Sequence, residues 1–497
     1  MGGKVHIASD GLHRLSPYLY MQFAEPLGTA DSSIDAAWDF LGERWQPATL
    51  ELLKELAPPM LRWGGSFSSY YHWREGVGPR RVPMYNLCWD GMYLNQVGTD
   101  ELAQLASEIG SELLFCVNFE SEGRECWAHP APGIDRRGTA EEAAAWVRYC
   151  NDPDDKLRHE NGHSEPYNVR YWQLGNETGY QPPCFSKPGF SSSQNCETAR
   201  HFIDAMGQAD PNIQFIVWGD GPNQEWKARC REGKQNIWAR DICEAVGDKA
   251  SLLAFHNHFG LGDDFRGLWG SEYRQDAERT WELLDKAVGE FGERLQYMRD
   301  SIAAYDMKLA VTEAHLAVNG RQSGRLFSTW ASGVATARCA NILERNGDIV
   351  EIATLADFMG NNWQSNAVML PTPAWFPGAK PYLMPVGSVM KLFSQHQGEQ
   401  AVNVLSPEGV DVAGGRSGSK IKLHLVNTSR ATAQTLEFVL DGGSVNALEV
   451  WEISADSTVE VGELNADVFK PRHFTVNDGR YTLPAAGVAV LEMTKED

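Results

Sequence analysis

Two stretches of the sequence place a glutamate directly after a run of apolar residues. The first, "RYWQLGNE", ends at Asn176 and Glu177, and the second, "KLAVTEAH", contains Glu313 near its end. Retaining glycosidases use two carboxyl groups roughly 5–5.5 Å apart, one to protonate the leaving oxygen and one to attack the anomeric carbon. The pKa values of such a pair must differ, so that one group is an acid while the other is an anion. Glu177 and Glu313 are therefore candidates for a catalytic pair.

Each of these glutamates also has a purely structural interpretation. Glu177 could be a polar turn residue that ends a strand, and Glu313 could be an ion-paired carboxylate under a loop. Structural ion pairs are common, so neither glutamate taken singly favours catalysis. The elements that would position the two residues decide between the interpretations.

Short apolar runs alternate with helical patterns from residue 19 to about residue 390. Eight strands, each followed by a helix, are typical of a (β/α)8 TIM barrel, an α/β fold. A doubly wound sheet would also alternate, but no glycine-rich phosphate loop follows the first strand. The predicted strands are 18–25, 59–65, 112–119, 169–177, 213–220, 252–259, 308–315 and 349–357.

The pattern changes after about residue 390 to short alternating runs separated by Gly, Asn, Asp and Pro turns. Such runs are typical of a C-terminal antiparallel β-sandwich. The stretch "KVHIAS" at 4–9 is also strand-like, and we expect it to pair into that sandwich. The predicted domains are a catalytic barrel at 16–391 and a β-sandwich at 392–497 together with strand 4–9.

In a barrel of this kind the chemistry lies at the carboxyl ends of the strands. Several predicted strands end in polar residues, although the strands themselves are apolar. Solvation alone does not explain a ring of such residues, so they predict a site at the barrel mouth. They are Glu25, Arg62, Asn118, Asn176, Glu177, His256, His258, Glu313 and His315.

The cation and the histidines of this ring leave alternatives open. Arg62 could pair with Glu313, although buried arginines in barrels also form purely structural pairs. We expect only one of His256 and His258 to point into the barrel, and either could bind a ligand or pack. No His-x-x-x-His or similar close cluster appears, so no metal site is predicted.

Composition restricts the partners. The formal net charge of −22 and the pI near 5.0 argue against nucleic acid, whose phosphates would be repelled. The nine cysteines are odd in number and form no Cys-x-x-Cys pair, which favours a reducing compartment. The first residues lack an apolar signal region, and no run approaches the roughly 20 apolar residues of a membrane span. We therefore expect a cytoplasmic protein without a membrane or nucleic-acid partner.

Several segments together resemble the retaining α-L-arabinofuranosidases of glycoside hydrolase family 51, in clan A. The resemblance covers roughly residues 15 to 400. Its segments are "YMQFAEPLG", "LRWGGSFSSYYHWREGVGPR", "NGHSEPYNVRYWQLGNE" and "PVGSVMKLFSQHQG". The second is similar to the family's Arg-x-Pro-Gly-Gly-Asn-Phe segment, and the third matches the stretch that leads to the family's acid/base.

The resemblance implies a role for each residue that matches the family's motifs. Glu177 would be the acid/base and Glu313 the nucleophile, while Asn176 would hold the 2-hydroxyl of the sugar. Glu25 matches the residue that hydrogen-bonds the sugar in the −1 subsite. The further candidates for substrate contacts are Arg62, Ser66, Asn118, His256, His258, Trp363 and Gln364.

The departures from the family lie in the sugar pocket. Ser66 replaces the amide of the Gly-Gly-Asn segment, and His258 stands at the position of the family's tyrosine after the sixth strand. Ala314 and His315 replace an aromatic residue and an amide beside the nucleophile. The catalytic pair is unchanged, so the mechanism is better supported than the identity of the sugar.

These observations lead to the hypothesis of a retaining exo-glycosidase that hydrolyses a glycoside or oligosaccharide, with arabinofuranose as the leading sugar. Another furanosidase, a β-xylosidase and a β-glucanase of the same clan remain alternatives. Two other classes are a carbohydrate-binding protein on an inactive barrel and a metal-dependent hydrolase that uses His256, His258 and a carboxylate. The hypothesis requires no cofactor and no metal. Family members are often oligomeric, which makes a homo-oligomer compatible with the resemblance.

Overall fold

A computed structural model describes residues 3–27, 34–86, 91–119, 136–179, 190–221, 225–318, 325–361, 366–371, 380–442, 445, 447–477 and 479–494. The strands are, in chain order, β1 (Gly3–Arg14), β2 (Gln22–Ala24), β3 (Trp38–Asp39), β4 (Arg44–Trp45), β5 (Met60–Trp63), β6 (Met84–Asn86), β7 (Gly91–Tyr93), β8 (Glu112–Val117), β9 (Tyr171–Leu174), β10 (Gln214–Trp218), β11 (Leu252–Phe259), β12 (Lys308–Leu316), β13 (Val350–Ala353), β14 (Asp357–Gly360), β15 (Asn366–Met369), β16 (Tyr382–Leu383), β17 (Gln400–Leu405), β18 (Val410–Ser417), β19 (Lys420–Asn427), β20 (Gln434–Leu440), β21 (Leu448–Ile453), β22 (Arg472–Val476), β23 (Arg480–Leu483) and β24 (Val488–Thr494). The α-helices are α1 (Pro47–Leu56), α2 (Thr99–Ile109), α3 (Ala140–Asn151), α4 (Lys156–Glu160), α5 (Ser192–Ala209), α6 (Glu225–Arg231), α7 (Ile237–Val246), α8 (Ala277–Ile302), α9 (Trp330–Arg345) and α10 (Pro385–Gln395).

The larger sheet is barrel-like. Its parallel strands β2, β5, β8, β9, β10, β11, β12 and β13 are neighbours in the order in which the chain makes them. The two ends of this series meet, because Met21 N donates a hydrogen bond to Ala353 O (2.9 Å) and β14 pairs with β2 at Asp357 and Phe23. The strands β15 and β16 extend the sheet beyond β14. The predicted succession of eight strands is therefore present, and its first and last strands lie next to each other.

The first and last predicted strands are shorter than expected. Within 18–25 only Gln22–Ala24 is a strand, because a 3₁₀ helix occupies Pro17–Tyr20 and its N-cap Ser16 accepts a hydrogen bond from Tyr18 N. Within 349–357 the strand ends at Ala353, and the chain resumes pairing only at Asp357.

Helices pack around the sheet, and hydrogen bonds cap the amino-terminal turns of α2 and α3. Thr139 is the N-cap of α3, where its side chain accepts a hydrogen bond from Glu142 N. In α2 the cap is Gly98, whose N–H donates to the carboxylate of Glu101. Among the described residues, no helix combines the length and the apolar character that crossing a membrane requires.

The C-terminal strands form a second sheet in the order β22-β21-β24-β19-β18-β17-β1-β20-β23. Neighbouring strands in it are antiparallel except for β1 and β20, which are parallel. The sheet has a core of its own, which includes Val5, Leu423, Leu436 and Leu491. The strand β1 therefore lies inside the C-terminal sheet, between β17 and β20.

A buried polar cluster links the two sheets. Glu344 on α9 accepts a hydrogen bond from the Tyr20 hydroxyl (2.6 Å), and its other oxygen lies 3.0 Å from His424 Nδ1 on β19. Glu344 is only 3% exposed, so these protein contacts replace water around its carboxylate.

Tyr20→Phe should lower the free energy of unfolding by about 2 kcal/mol, because it removes a hydrogen bond to a buried charged group. The matched control is Tyr305→Phe, which removes an exposed hydroxyl contact to Glu244 (3.1 Å) and should change stability by less than about 0.5 kcal/mol. Urea denaturation of both variants measures the difference. Equal losses would contradict a structural role for the buried cluster.

Candidate active site

A buried arginine connects three of the barrel strands. Arg62 on β5 is fully buried, and its Nη1 donates to Glu313 Oε1 (2.9 Å) on β12. Its Nη2 donates to Asn176 Oδ1 (2.6 Å), and its Nε donates to Gln173 Oε1 (2.8 Å) on β9. The structure thus brings Arg62, Asn176 and Glu313 together, with the arginine holding both of the others.

Both histidines of β11 face the two glutamates. His256 Nδ1 lies 2.8 Å from Glu177 Oε1 and 3.5 Å from Glu313 Oε2. His258 Nε2 lies 3.7 Å from Glu313 Oε2. The prediction that only one histidine points inward was wrong, because residues two apart along a strand share a face.

The four side chains converge at one point of the mouth. Glu177, His256, His258 and Glu313 each offer one nitrogen or oxygen atom, and these atoms all lie within 4.8 Å of one another. Such a set of atoms is also one that could hold a metal ion. Its members come from three different strands or strand ends, which is why sequence spacing gave no sign of it.

The chain leaves β9 through an unusual backbone corner. Gly175 has φ +75°, and a Cβ there would lie 2.6 Å from Thr178 Cγ2 and 2.8 Å from Phe119 Cδ1. Glu177 has φ +47°, a left-handed conformation that is uncommon outside glycine. Strain of this kind costs on the order of 1–3 kcal/mol and concentrates at functional sites. The corner turns Asn176 and Glu177 towards the mouth.

Burial dominates the protonation of the site. It raises the pKa of Glu313 to about 7, an effect that His256 and Arg62 oppose and that Glu177 and Glu25 reinforce. Burial also lowers the pKa of His256 to about 3 and that of His258 well below its usual value. Both imidazoles are therefore neutral at pH 7. A neutral imidazole can donate or accept at Nδ1, so His256 accommodates Glu177 with or without its proton.

A third carboxylate, Glu25, lies against the backbone at Gly65. Ser66 donates to Glu25 Oε1 both from its backbone N (2.7 Å) and from its hydroxyl. Gly65 has φ +150°, and a Cβ there would lie 2.3 Å from Glu25 Cδ. The serine that departs from the family pattern thus directs its hydroxyl to Glu25.

The remaining predicted site residues are not among the four side chains that converge at the mouth. The Asn118 amide donates to the carbonyls of Tyr71 and Arg136. The His315 ring lies 4.4 Å from that of His258, and its Nδ1–H donates to Leu316 O. Trp363 and Gln364 lie outside the described residues.

The sequence prediction missed Asp357. Burial raises the pKa of its carboxyl group well above the usual value, and the charges of Glu25 and Glu313 add to the effect. Burial and the two nearby carboxylates therefore favour the protonated form of Asp357. It closes the eighth predicted strand as Glu177 closes the fourth, so the rule that selected the other strand-end residues would have found it.

Two segments of the chain match family models. Residues 52–245 match the model "Alpha-L-arabinofuranosidase 1 domain", and residues 312–486 match "Alpha-L-arabinofuranosidase C-terminal domain".

Two curated relatives match over part of their length. "Probable alpha-L-arabinofuranosidase C" of Aspergillus niger is 34% identical over 43% of this chain and 41% of its own. "Intracellular exo-alpha-(1->5)-L-arabinofuranosidase" of Halalkalibacterium halodurans is 26% identical over 43% of this chain and 39% of its own. The matched part of the chain spans about two fifths of the length of these relatives.

The fold has a solved counterpart over its whole length. The structure of the thermostable family 51 α-L-arabinofuranosidase from Thermotoga petrophila aligns with a TM-score of 0.76, covering 99% of each chain at 22% identity. At 22% identity this similarity supports the fold alone.

Gly175→Ala should destabilise the protein more than Gly110→Ala, although the two glycines have nearly the same positive φ (+75° and +74°). No neighbouring heavy atom lies within 4 Å of a Cβ at Gly110, whereas a Cβ at Gly175 meets Thr178 and Phe119. We expect Gly110→Ala to cost about 1 kcal/mol from backbone strain, and Gly175→Ala at least about 1 kcal/mol more from overpacking. Denaturant unfolding compares the two, and equal losses would show that the corner tolerates a side chain.

Proposed function

We propose that this chain, an α-L-arabinofuranosidase-like protein of glycoside hydrolase family 51, is a retaining exo-glycosidase that releases terminal α-L-arabinofuranose. The observation that carries the proposal is the approach of a carboxylate oxygen of Glu177 to one of Glu313 within 4.8 Å. An inverting enzyme needs carboxyl groups about 6.5–9.5 Å apart to admit a water molecule between the base and the sugar. The shorter separation favours direct attack by one of the two.

In the first step Glu313 attacks the anomeric carbon while Glu177 gives its proton to the departing glycosidic oxygen. The bond from that carbon to the leaving group breaks as the bond to the Glu313 carboxylate forms. In the second step Glu177, now an anion, takes a proton from water, and the resulting hydroxide displaces Glu313. The sugar leaves with its original anomeric configuration, and both glutamates return to their starting protonation states.

The contacts of Arg62 and His256 support this division of roles. Arg62 holds Glu313 at 2.9 Å and stabilises its anionic form, as a nucleophile requires. His256 contacts Glu177 at 2.8 Å and, being neutral, tolerates the gain and loss of its proton. A proton donor facing an ion-paired carboxylate has no use in a protein that only binds carbohydrate.

Asn176 is the proposed contact for the sugar 2-hydroxyl. Its Oδ1 accepts a hydrogen bond from Arg62 at 2.6 Å, so its NH2 group is the end that can donate to the sugar. A hydrogen bond to the 2-hydroxyl that strengthens in the transition state contributes several kcal/mol. Glu25, held by Ser66, is the proposed second contact.

The proposal extends to the finer architecture and the surroundings of the enzyme. We infer a (β/α)8 barrel at 16–391 and an antiparallel β-sandwich at 392–497 that incorporates strand 4–9. We also infer a cytoplasmic enzyme that needs no cofactor. The name of the Halalkalibacterium relative, which describes an intracellular exo-acting enzyme, supports the location and the mode of action.

Glu313→Gln should lower the hydrolysis rate of 4-nitrophenyl α-L-arabinofuranoside at least about a thousandfold, a loss of about 4 kcal/mol of transition-state stabilisation. Glu177→Ala should be slow but regain activity with azide, which needs no general base and yields the azide of retained configuration. The matched control is Glu142→Gln, because Glu142 also contacts a histidine, His72 Nδ1, at 2.9 Å. Ordinary turnover in Glu313→Gln would overturn the assignment. A panel of aryl furanosides and pyranosides identifies the sugar.

The pH profile should have its acidic limb near the pKa of Glu313, about 7. Glu313 attacks only as an anion, so kcat/KM should fall about tenfold for each pH unit below that value. Stopped assays from pH 4 to 9 with the aryl arabinofuranoside measure the limb. A value of kcat/KM that stays constant down to pH 5 would contradict the protonation of Glu313 in the free enzyme.

A further inference from the structure

We propose that the four side chains at the mouth also bind a divalent transition-metal ion, with zinc as the best fit, and that the ion inhibits the enzyme reversibly. The binding is a property of Glu177, His256, His258 and Glu313 alone. The inhibition rests on the proposed function, since the ion would occupy both catalytic carboxylates.

The positions of the donor atoms fit such an ion. Zinc binds histidine nitrogen at about 2.0–2.1 Å and carboxylate oxygen at about 2.0–2.2 Å in a tetrahedron, which places neighbouring donors about 3.3–3.5 Å apart. The separations here are 2.8 Å from His256 Nδ1 to Glu177, 3.5 Å from His256 Nδ1 to Glu313 and 3.7 Å from His258 Nε2 to Glu313. All four donors lie within 4.8 Å of one another. Small side-chain rotations would therefore complete a tetrahedron.

The charges favour a cation at this point. Glu313 directs Oε1 to Arg62 and Oε2 to the two histidines, so the arginine holds the carboxylate from outside without blocking the inner oxygen. Metal ligands are commonly held by an outer partner of this kind. A bound cation would also remove the repulsion between the two carboxylates.

The donor types select the metal and its role. Two imidazoles with two carboxylates suit zinc, cobalt, nickel or copper, whereas magnesium and calcium prefer oxygen ligands throughout. In a dedicated metal site each ligating histidine donates its other N–H to a partner. Among the described residues, His256 Nε2 and His258 Nδ1 have no hydrogen-bond partner. The site therefore resembles one that an exchanging ion enters and leaves.

Occupation by the ion would stop both steps of hydrolysis. A metal-bound Glu313 has its attacking oxygen engaged, and a metal-bound Glu177 carries no proton to donate. His258 is the donor that distinguishes this chain, because the family pattern has a tyrosine at its position.

The test uses the full chain after treatment with a chelating resin. Equilibrium dialysis should show one zinc ion per chain, and added Co²⁺ should give the visible absorption bands of tetrahedral cobalt. His258→Phe should weaken zinc binding at least about tenfold by removing one ligand. The control His473→Asn removes an exposed histidine 2.8 Å from Glu449 and should leave zinc binding unchanged. Glu313→Gln provides a second variant that lacks a ligand.

Failure to bind zinc, or wild-type affinity in both His258→Phe and Glu313→Gln, would overturn the inference. Zinc should inhibit the wild-type enzyme, a chelator should restore its activity, and His258→Phe should require at least about ten times more zinc for the same fractional inhibition. Activity that appears only when zinc is added would also overturn the inference, because the ion would then be a cofactor. Zinc binding without glycosidase activity under any condition would refute the proposed function instead and leave the site standing.

Discussion

A single charge that water cannot reach organises the mouth of the barrel. Arg62 is fully buried, and its guanidinium donates hydrogen bonds to Gln173, Asn176 and Glu313. Removing one partner of a buried ion pair typically lowers the free energy of unfolding by about 3–5 kcal/mol, because the remaining charge is buried without a partner or water around it. The arginine therefore ties β5 to Glu313 on β12 and to Gln173 and Asn176 at the end of β9. The geometry of the two glutamates depends on this contact.

Burial of the site also determines the protonation of its side chains. Burial raises the pKa of Glu313 and lowers those of both histidines. It therefore favours the uncharged forms of these three side chains. Burial likewise raises the pKa of Asp357 well above its usual value and favours its protonated form. Arg62 pairs directly with Glu313, while both histidines and Asp357 favour their neutral forms.

The sequence predicted the barrel strands and the strand-end glutamates because both leave local signals. An apolar run followed by Glu177 or Glu313 indicates a nearby strand end: β9 ends at Leu174, before Glu177, and β12 continues past Glu313 to Leu316. Two features of the site could not be predicted from the sequence, for physical reasons. The grouping of His256 with Glu177 depends on strands brought together only by the fold, and the left-handed backbone at Glu177 has no signature in residue type. Asp357 also ends a predicted strand, so its position had the same local signal as those of Glu177 and Glu313.

The place of β1 in the C-terminal sheet has a consequence for how the chain is made. On the ribosome the amino terminus emerges first, yet the neighbours of β1 are β17 and β20, some four hundred residues later. The strand remains without its partners while the whole barrel is synthesised. A barrel that folds as it emerges must therefore leave β1 unpaired until β17 and β20 have been synthesised, so the second sheet forms after the first.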